Sequence, residues 1–140
     1  AMSVLGKTDI AVLAAAVADY ALVNRAENKI RKNNREITVK MRKTKDTAAT
    51  LGKNKKSNQI IVGFALETEN ELEHAQQKLK KKNFDLIVLN SLNDKGAGFG
   101  HDTNKITIIH KNNKTREFEL RSKEEVAEDI VGELVKLLNC

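Results

Sequence analysis

The sequence is organised around the stretch Thr8–Lys32, TDIAVLAAAVADYALVNRAENKIRK. Its apolar run, Ile10–Leu13, is typical of a strand that is buried on both faces of a parallel sheet. Small alanines follow the run and let another group come close to the backbone, and Asp19 then stands near the predicted carboxyl end of the strand. Because open α/β sheets bind ligands at the carboxyl ends of their strands, this stretch predicts a ligand site there.

A cluster of positive charge, Lys29-Ile30-Arg31-Lys32, follows ten residues after Asp19. A carboxylate that can hold a cation, small residues and nearby basic side chains together favour a bound polyanion, such as a nucleoside triphosphate with its magnesium ion. The alternative is a core strand followed by a solvated basic loop, because charge runs are more often exposed faces. The pattern alone leaves both interpretations open.

Composition narrows the class of protein. The chain has 140 residues, 40% hydrophobic and 31% charged, which fits one globular domain with a real core. The single cysteine is the last residue, so an intrachain disulfide is excluded and a reducing cytoplasm is the expected setting. The net charge of +6 favours anionic partners, but only 4% of residues are aromatic, which argues against a stacking platform for nucleic acid. No apolar run reaches the length of a membrane span.

Apolar strands alternate with amphipathic segments along the chain, and this order predicts an α/β fold. We expect a Rossmann-like, three-layer parallel sheet with helices on its faces, followed by a C-terminal β-hairpin and helix. Ser122 and Glu125 have the spacing of a capping box at the start of that last helix. The predicted strands are 8–17, 36–41, 60–66, 84–89 and the hairpin 106–110 with 116–120, and the predicted helices are 44–51, 68–82 and 122–138.

Five blocks of sequence carry a family resemblance. They are AAAVADY with KIRK (14–20 and 29–32), GFALET (63–68), QKLKKKNFDLI (77–87), AGFG with DTN (97–100 and 102–104) and SKEEVA (122–127). In this order, over nearly the whole chain, they resemble the CTP-dependent phosphopantothenate–cysteine ligase domain of coenzyme A biosynthesis. In many bacteria that domain is the C-terminal half of a bifunctional enzyme whose other half is a flavin-dependent decarboxylase.

The resemblance implies a reaction in two halves. CTP activates the carboxylate of 4′-phosphopantothenate as an acyl-cytidylate, and the amine of L-cysteine then attacks the carbonyl and releases CMP. It also implies a Mg²⁺ ion with the nucleotide, a homodimer, and FMN only where a decarboxylase domain is fused. Such a site must neutralise phosphate charge and orient both substrates.

The resemblance also implies roles for individual residues. Lys29 is the catalytic candidate, since a lysine is a compact point charge suited to phosphate. Asp19 is the candidate for the nucleotide and the metal ion, with a turn residue as its structural alternative. Ala15 and Phe64 have core packing as their alternative. The predicted nucleotide-binding residues are Ala15, Asp19, Lys29, Asp46, Phe64, Lys78 and Lys82.

Two departures from the family pattern stand out. The chain has Lys43-Thr44-Lys45-Asp46 where the family usually has Lys-Asn-Pro-Asp, so the asparagine and proline are replaced although Asp46 is kept. The Gly-Gly-Thr turn and the Ser-Asn-x-Ser-Ser-Gly segment that open the family's domain do not occur. We therefore expect residues 1–140 to be a single domain, the C-terminal portion of a ligase domain without its first βαβ unit, and to be inactive alone.

Other classes of protein remain as alternatives. A basic α/β binding module for nucleic acid or an acidic partner is the first, although the notable lysines fall at strand ends and on one helix face, not along a continuous stripe. A dinucleotide-binding enzyme is disfavoured, because no G-x-G-x-x-G motif follows a strand. His74, His101 and His110 have no partner at a catalytic spacing and are interpreted as structural or surface residues.

Overall fold

The computed structural model describes residues 1–30, 36–91, 93 and 100–139. Arg31 and Lys32 of the basic cluster, and residues 96–99 of the glycine-rich loop, lie outside these ranges. Along the described residues the elements are α1 (Met2–Leu5), β1 (Ile10–Leu13), β2 (Tyr20–Leu22), β3 (Met41–Lys43), α2 (Thr47–Asn54), β4 (Ile60–Glu67), α3 (Glu71–Lys81), β5 (Leu86–Ser91), β6 (Thr103–Asn104), β7 (Ile106–His110), β8 (Thr115–Glu117), β9 (Arg121–Ser122) and α4 (Lys123–Leu138).

A five-stranded sheet in the order β1-β4-β5-β7-β8 forms the centre of the fold. β1, β4 and β5 are parallel, as the strand–helix–strand order predicts. The hairpin of β7 and β8 joins the same sheet antiparallel to β5, so the sheet is mixed and not parallel throughout. The two small pairs, β2–β3 and β6–β9, lie outside it. The predicted α/β class is confirmed, with the hairpin incorporated into the central sheet.

The side chains of the central strands alternate between two cores, which produces the three layers. On β5, Ile87 and Leu89 pack in a cluster with residues of α2 and α3, whereas Leu86 and Val88 pack in a second cluster with residues of α4. All four of these β5 side chains are buried. This two-sided burial explains why β5 is a continuous apolar run in the sequence.

The first strand is shorter and less buried than predicted. Regular pairing covers only Ile10–Leu13, and β1 lies at the edge of the sheet with β4 as its one paired neighbour among the described residues. Val12 is 48% exposed, and the other three residues of β1 are half-buried. The prediction of a strand buried on both faces is therefore wrong for this chain: Ala11 and Leu13 pack against one core, but on the opposite face only Ile10 packs against the other core and Val12 is left exposed.

The segment after Asp19 also differs from its predicted form. The pattern predicts a loop over 20–34 and a strand over 36–41, but the structure pairs Tyr20–Leu22 with Met41–Lys43. The backbone N–H of Thr44 donates to the carbonyl of Asp19 at 2.8 Å, and the Thr44 hydroxyl donates to the carbonyl of Ala18 at 2.6 Å. These long-range bonds at the base of the hairpin select its register, which local alternation cannot do.

The helix predicted at 44–51 is observed three residues later, at Thr47–Asn54. It begins there because the Asp46 carboxylate accepts from the Ala49 N–H at 2.9 Å. The pattern predicts that Gly52 ends this helix, but Gly52 lies inside it, where an added Cβ would stand 1.8 Å from the carbonyl oxygen of Lys82. The glycine is therefore needed for close packing of α2 against the end of α3.

The later elements agree better with the predictions. α3 begins at Glu71 after Asn70, not at Thr68, and its Leu72 is exposed although its spacing predicts the packed face. The hairpin and the capping box of Ser122 and Glu125 are as predicted, and α4 packs through Val126, Ile130 and Leu134, with Leu137 partly buried. Leu138 is also predicted in the core, but it is exposed near the end of the helix. None of the helices in the described ranges is long and apolar enough to cross a membrane.

Candidate functional site

A cleft of about 390 Å³ opens between α2 and α3, beside the carboxyl end of β1. This is the edge of the sheet where α/β folds bind ligands. Six of the seven residues that the sequence nominates line this one cleft, although they come from separate parts of the chain. They are Ala15, Asp19, Asp46, Phe64, Lys78 and Lys82.

The lining of the cleft includes small residues and aromatic rings. Ala14 and Ala15 continue from β1 and leave space beside the strand end. At Gly63 an added Cβ would stand 2.1 Å from the ring of Phe84, so this position excludes any side chain. Phe64 packs partly against the α4 core and also lines the cleft, so its position is compatible with both core packing and the predicted contact with a nucleotide.

Asp19 reaches the cleft because the base of the β2–β3 hairpin is fixed. The two bonds from Thr44 hold the backbone of Ala18 and Asp19, so they settle where the Asp19 side chain leaves the chain. Thr44 is one of the residues that depart from the family pattern. It lines the cleft as well, and its hydroxyl is used for this structural bond.

Lys78 of α3 and Lys82, the residue that follows α3, supply positive charge to the cleft, and each is paired with a carboxylate from another element. The ammonium of Lys78 lies 2.5 Å from the carboxylate of Glu67, the last residue of β4. The ammonium of Lys82 lies 3.2 Å from the carboxylate of Asp46, just before α2. The predicted i, i+4 relation of the two lysines is thus realised, and both pairs link α3 to its neighbours.

The Asp46 carboxylate has two roles. The N–H of Ala49 is the main cause that lowers the pKa of Asp46; partial burial opposes it, and Lys82 lowers the pKa further. Asp46 is therefore an anion that caps α2 and holds Lys82 at the wall of the cleft.

A second cleft of about 430 Å³ lies beside the first and shares Leu13, Ala14, Ala15 and Phe64 with it. Asn90, at the carboxyl end of β5, contributes to this cleft. Its Oδ1 atom is buried and accepts no hydrogen bond from the described part of the chain. A buried acceptor without a partner beside a cleft is available to a ligand or a water molecule. The remaining lining residues include Asn104 and Lys123.

Lys29, the catalytic candidate, is not among the residues that line either cleft. It is exposed in the connection between β2 and β3, in the part of that connection that the structure describes. The structure therefore does not bring Lys29 together with the other six residues. Its assignment stays a prediction from the resemblance.

The residues around Asp19 are chemically suitable for a magnesium ion. Mg²⁺ is commonly held by one or two carboxylates together with water and the phosphate oxygens of a substrate. Asp19 and Asp46 line the same cleft, which provides two such carboxylates, although Asp46 is already engaged by Lys82 and Ala49. No cluster of three or more His, Cys, Asp or Glu side chains suited to a metal occurs in the described ranges. A metal ion here would depend on a phosphate-bearing substrate for its other ligands.

Sequence reasoning misses three contributors. Glu67 stands in the quoted GFALET block without an assigned role, and a carboxylate at the end of a buried strand is the signal that identifies it. Asn90 carries a similar signal, since it is a polar residue that ends an apolar strand. Gly63 has no signal of its own in the sequence, because its need for space comes from Phe84, which is distant along the chain.

The mixed α/β sheet, with its clefts at the carboxyl ends of the parallel strands, defines the class of a Rossmann-like α/β domain. The family model of the DNA/pantothenate metabolism flavoprotein C-terminal domain matches residues 1–138, and the chain belongs to this family.

Two curated relatives illustrate the similarity. A protein named cysteine/cysteine sulfinic acid decarboxylase, from an unknown prokaryotic organism, is 54% identical over 131 residues, which cover 94% of this chain and 36% of that protein. The coenzyme A biosynthesis bifunctional protein CoaBC of Bacillus subtilis (strain 168) is 40% identical over 136 residues, which cover 97% of this chain and 33% of that protein. The chain thus spans about a third of the length of these relatives.

A solved structure supports the same relationship. The crystal structure of the C-terminal domain of the coenzyme A biosynthesis bifunctional protein CoaBC matches with a TM-score of 0.76 and 30% identity. The match covers 99% of this chain and 59% of that one. The fold is therefore that of the CoaBC C-terminal domain over the shared region.

Proposed function

We propose that this chain is part of a ligase that joins 4′-phosphopantothenate to L-cysteine with CTP, in coenzyme A biosynthesis. The observation that carries the proposal is the meeting of Ala15, Asp19, Asp46, Phe64, Lys78 and Lys82 in one cleft. These residues are nominated by resemblance to such a ligase, and they lie up to 67 positions apart along the chain. Membership of the family and similarity to CoaBC proteins support the same conclusion.

In the proposed reaction, a carboxylate oxygen of 4′-phosphopantothenate attacks the α-phosphorus of CTP. A phosphorus–oxygen bond forms, the bond to the β-phosphate breaks, and pyrophosphate leaves. The cysteine amine then attacks the acyl carbon, CMP leaves, and the amine loses a proton. A bound Mg²⁺ ion would supply positive charge to the phosphates.

This chain's own contribution under the proposal is binding and orientation. The cleft between α2 and α3 would hold the nucleotide, with Lys78 and Lys82 donating to it from one wall and Asp19 at the mouth. Lys29 would act on the phosphates, and this requires the connection between β2 and β3 to approach the cleft in the assembled enzyme. We expect Lys29→Gln in the full-length enzyme to slow turnover by more than about tenfold, or about 1.4 kcal/mol; turnover near that of the parent would remove Lys29 from the mechanism.

We further infer that the chain alone binds CTP weakly and does not complete the reaction. Its match covers 59% of the CoaBC C-terminal domain structure, and β1 is a half-exposed edge strand. Under this proposal FMN and decarboxylation belong to a fused domain outside the matched region, and the cytoplasm is the site of the reaction.

A homodimer is part of the proposal. The described residues between 17 and 41 carry a set of large apolar side chains that are each at least 39% exposed, and large exposed apolar patches mark interaction surfaces. A second copy of this segment is the occupant we propose for it. Analytical ultracentrifugation of the chain should detect a dimer, and a monomer at all concentrations would contradict this. The set comprises Val17, Tyr20, Leu22, Val23, Ile30, Ile37, Val39 and Met41.

The second candidate function is a basic module that binds nucleic acid or an acidic partner. The charge of +6 favours it. Two observations weaken it: Lys55 is buried in a pair with Asp85, and Lys78 and Lys82 line a cleft and do not form part of a continuous basic stripe.

One titration experiment separates these proposals. Calorimetry of the chain with CTP, ATP, GTP and a short DNA duplex should show the tightest binding for CTP. Equal affinity for the three nucleotides would overturn the CTP assignment, and tighter binding of DNA would favour the basic module. Pyrophosphate release, measured for this chain and for one extended upstream, should occur only with the extended chain.

A further inference from the structure

Glu67 occupies a position that neither the sequence motifs nor the cleft explain. It is the last residue of β4, and its side chain is 13% exposed. Because alternate residues of a strand share a face, Glu67 points to the same side as Ala65, which packs in the α2–α3 core. Glu67 is not among the residues that line the candidate cleft. Its carboxylate nevertheless contacts Lys78, which does line the cleft.

The partner of Glu67 is Lys78. The two charged groups lie 2.5 Å apart, and the other oxygen of the carboxylate lies 3.7 Å from Nδ1 of His74. Lysine has a flexible four-carbon stem, and an unrestrained ammonium samples many positions. The carboxylate therefore restricts the Lys78 ammonium to the wall of the cleft.

We propose that Glu67 is a positioning residue for the nucleotide: it anchors the Lys78 ammonium and leaves its remaining N–H donors for the ligand. An ammonium has three donors, so one bond to Glu67 leaves two. Anchoring in the free chain reduces the ordering cost that binding would otherwise carry. The inference rests on the proposed function, since it takes CTP as the ligand of the cleft.

A purely electrostatic role for Glu67 predicts the opposite change in CTP affinity. If Glu67 acted only through its negative charge, removing that charge would strengthen the binding of a polyanion. If Glu67 positions Lys78, removing its charge weakens binding in spite of the more positive cleft. The direction of the change therefore decides between the two roles.

The experiment is a double-mutant cycle in the 140-residue chain, with CTP affinity measured by calorimetry. Glu67→Gln and Lys78→Met should each weaken binding, the former by roughly 2- to 10-fold. In the Lys78→Met background, Glu67→Gln should have no further weakening effect, because the residue that it positions is gone. Glu73→Gln is the matched control: it removes the same charge from the exposed surface of α3 and should leave the affinity unchanged.

A second readout does not depend on the ligand. The rate at which an amine reagent labels Lys78, relative to Lys80 on the same helix, should rise with Glu67→Gln because the ammonium is released. Should Glu67→Gln fail to fold, Glu67→Asp keeps the charge, shortens the reach, and should show the same changes.

The outcomes are distinct. Tighter CTP binding by Glu67→Gln, or equal weakening in both backgrounds, overturns the proposal, and so does unchanged labelling of Lys78. If the parent chain binds no nucleotide, that result contradicts the proposed function. The labelling experiment then decides by itself whether Glu67 anchors Lys78.

Discussion

The two ends of the central sheet use the same kinds of charged residue in different ways. At the amino end of the parallel strands, Lys55 is 7% exposed in its side chain and lies 2.5 Å from Asp85, which also accepts from the Ile61 N–H at 2.8 Å. Gln59 is buried there as well and donates to the carbonyls of Leu5 and Thr8. These polar groups satisfy one another within the protein.

At the carboxyl end the corresponding pairs face open space. The side chains of Lys78 and Lys82 are 43% and 25% exposed, and both line a cleft. Water reaches these two ammonium groups, so the pairs contribute less to folding than the pair of Lys55, and N–H donors of both lysines remain available to a ligand. The comparison teaches that burial, not residue type, separates a structural ion pair from one suited to binding.

Replacing the lysine at each end should therefore have unequal effects on stability. Lys55→Met leaves the largely buried Asp85 carboxylate without its charged partner and with the Ile61 N–H still bound, and we expect a loss of about 3–5 kcal/mol. Lys82→Met at the cleft should cost less than about 1 kcal/mol. Urea unfolding at neutral pH measures the free energy of unfolding of both variants, and equal losses would contradict the difference proposed between the two ends of the sheet. Under the proposed function, Lys82→Met should weaken CTP binding more than Lys55→Met does, provided that the Lys55→Met chain is folded.

The amino end also contains a carboxylate that should make stability depend on pH. Glu133 of α4 is 5% exposed; burial acts to raise its pKa, but hydrogen bonds and charges from Lys136 and Arg116 outweigh burial and lower the pKa below the ordinary 4.5. Nε2 of His110 lies 3.0 Å from the same carboxylate. Since the pKa is lower in the folded chain, the contribution of Glu133 is complete above the ordinary value and is lost as the pH falls through the folded value.

Glu133→Gln should therefore destabilise the chain at pH 7, by about 1.5–3 kcal/mol. The difference from the parent should shrink below about pH 4.5. Chemical unfolding at a series of pH values tests this, with Glu128→Gln on the exposed side of the same helix as the control. A difference that grows toward acid would show that Glu133 does not act as an anion.

The smallest expected effect separates the two roles of Asp46. Asp46→Asn keeps an acceptor for the Ala49 N–H and should change stability little, whereas Asp46→Ala removes the cap of α2 and should cost about 1 kcal/mol. Both variants lose the pair with Lys82, so under the proposed function both should weaken CTP binding. Thermal unfolding compares them, and equal destabilisation would assign the effect to the lost charge and not to the cap.

Prediction from the sequence succeeds best where local pattern and burial agree. β4, β5 and the hairpin are continuous apolar or alternating runs, and the Ser122–Glu125 capping box marks the start of α4. Prediction fails for the segment around 20–43, where the pairing of Tyr20–Leu22 with Met41–Lys43 depends on bonds from Thr44. It also fails at Gly52, which resembles a helix stop but lies inside a helix for a packing reason.

For the site, the resemblance nominates the residues and the topology brings most of them together. The i, i+4 spacing of Lys78 and Lys82 predicts that they lie on the same side of a helix, and both line the cleft although Lys82 follows the last residue of α3. Their partners Glu67 and Asp46 come from other elements, so no local spacing predicts either pair. The resemblance also implies a role for Lys29, but the described part of the connection between β2 and β3, which contains Lys29, does not line the cleft.

By itself, the sequence determined the α/β class, the central strands, the last helix and the candidate residues, because these follow from local periodicity, capping and family motifs. Only the tertiary structure decided that β1 is an edge strand, that the hairpin joins the central sheet, and which carboxylate holds which lysine. Those features depend on contacts between residues distant along the chain. The free energy of such contacts comes from apolar burial, strand hydrogen bonds and ion pairs, which form only when distant parts of the chain meet.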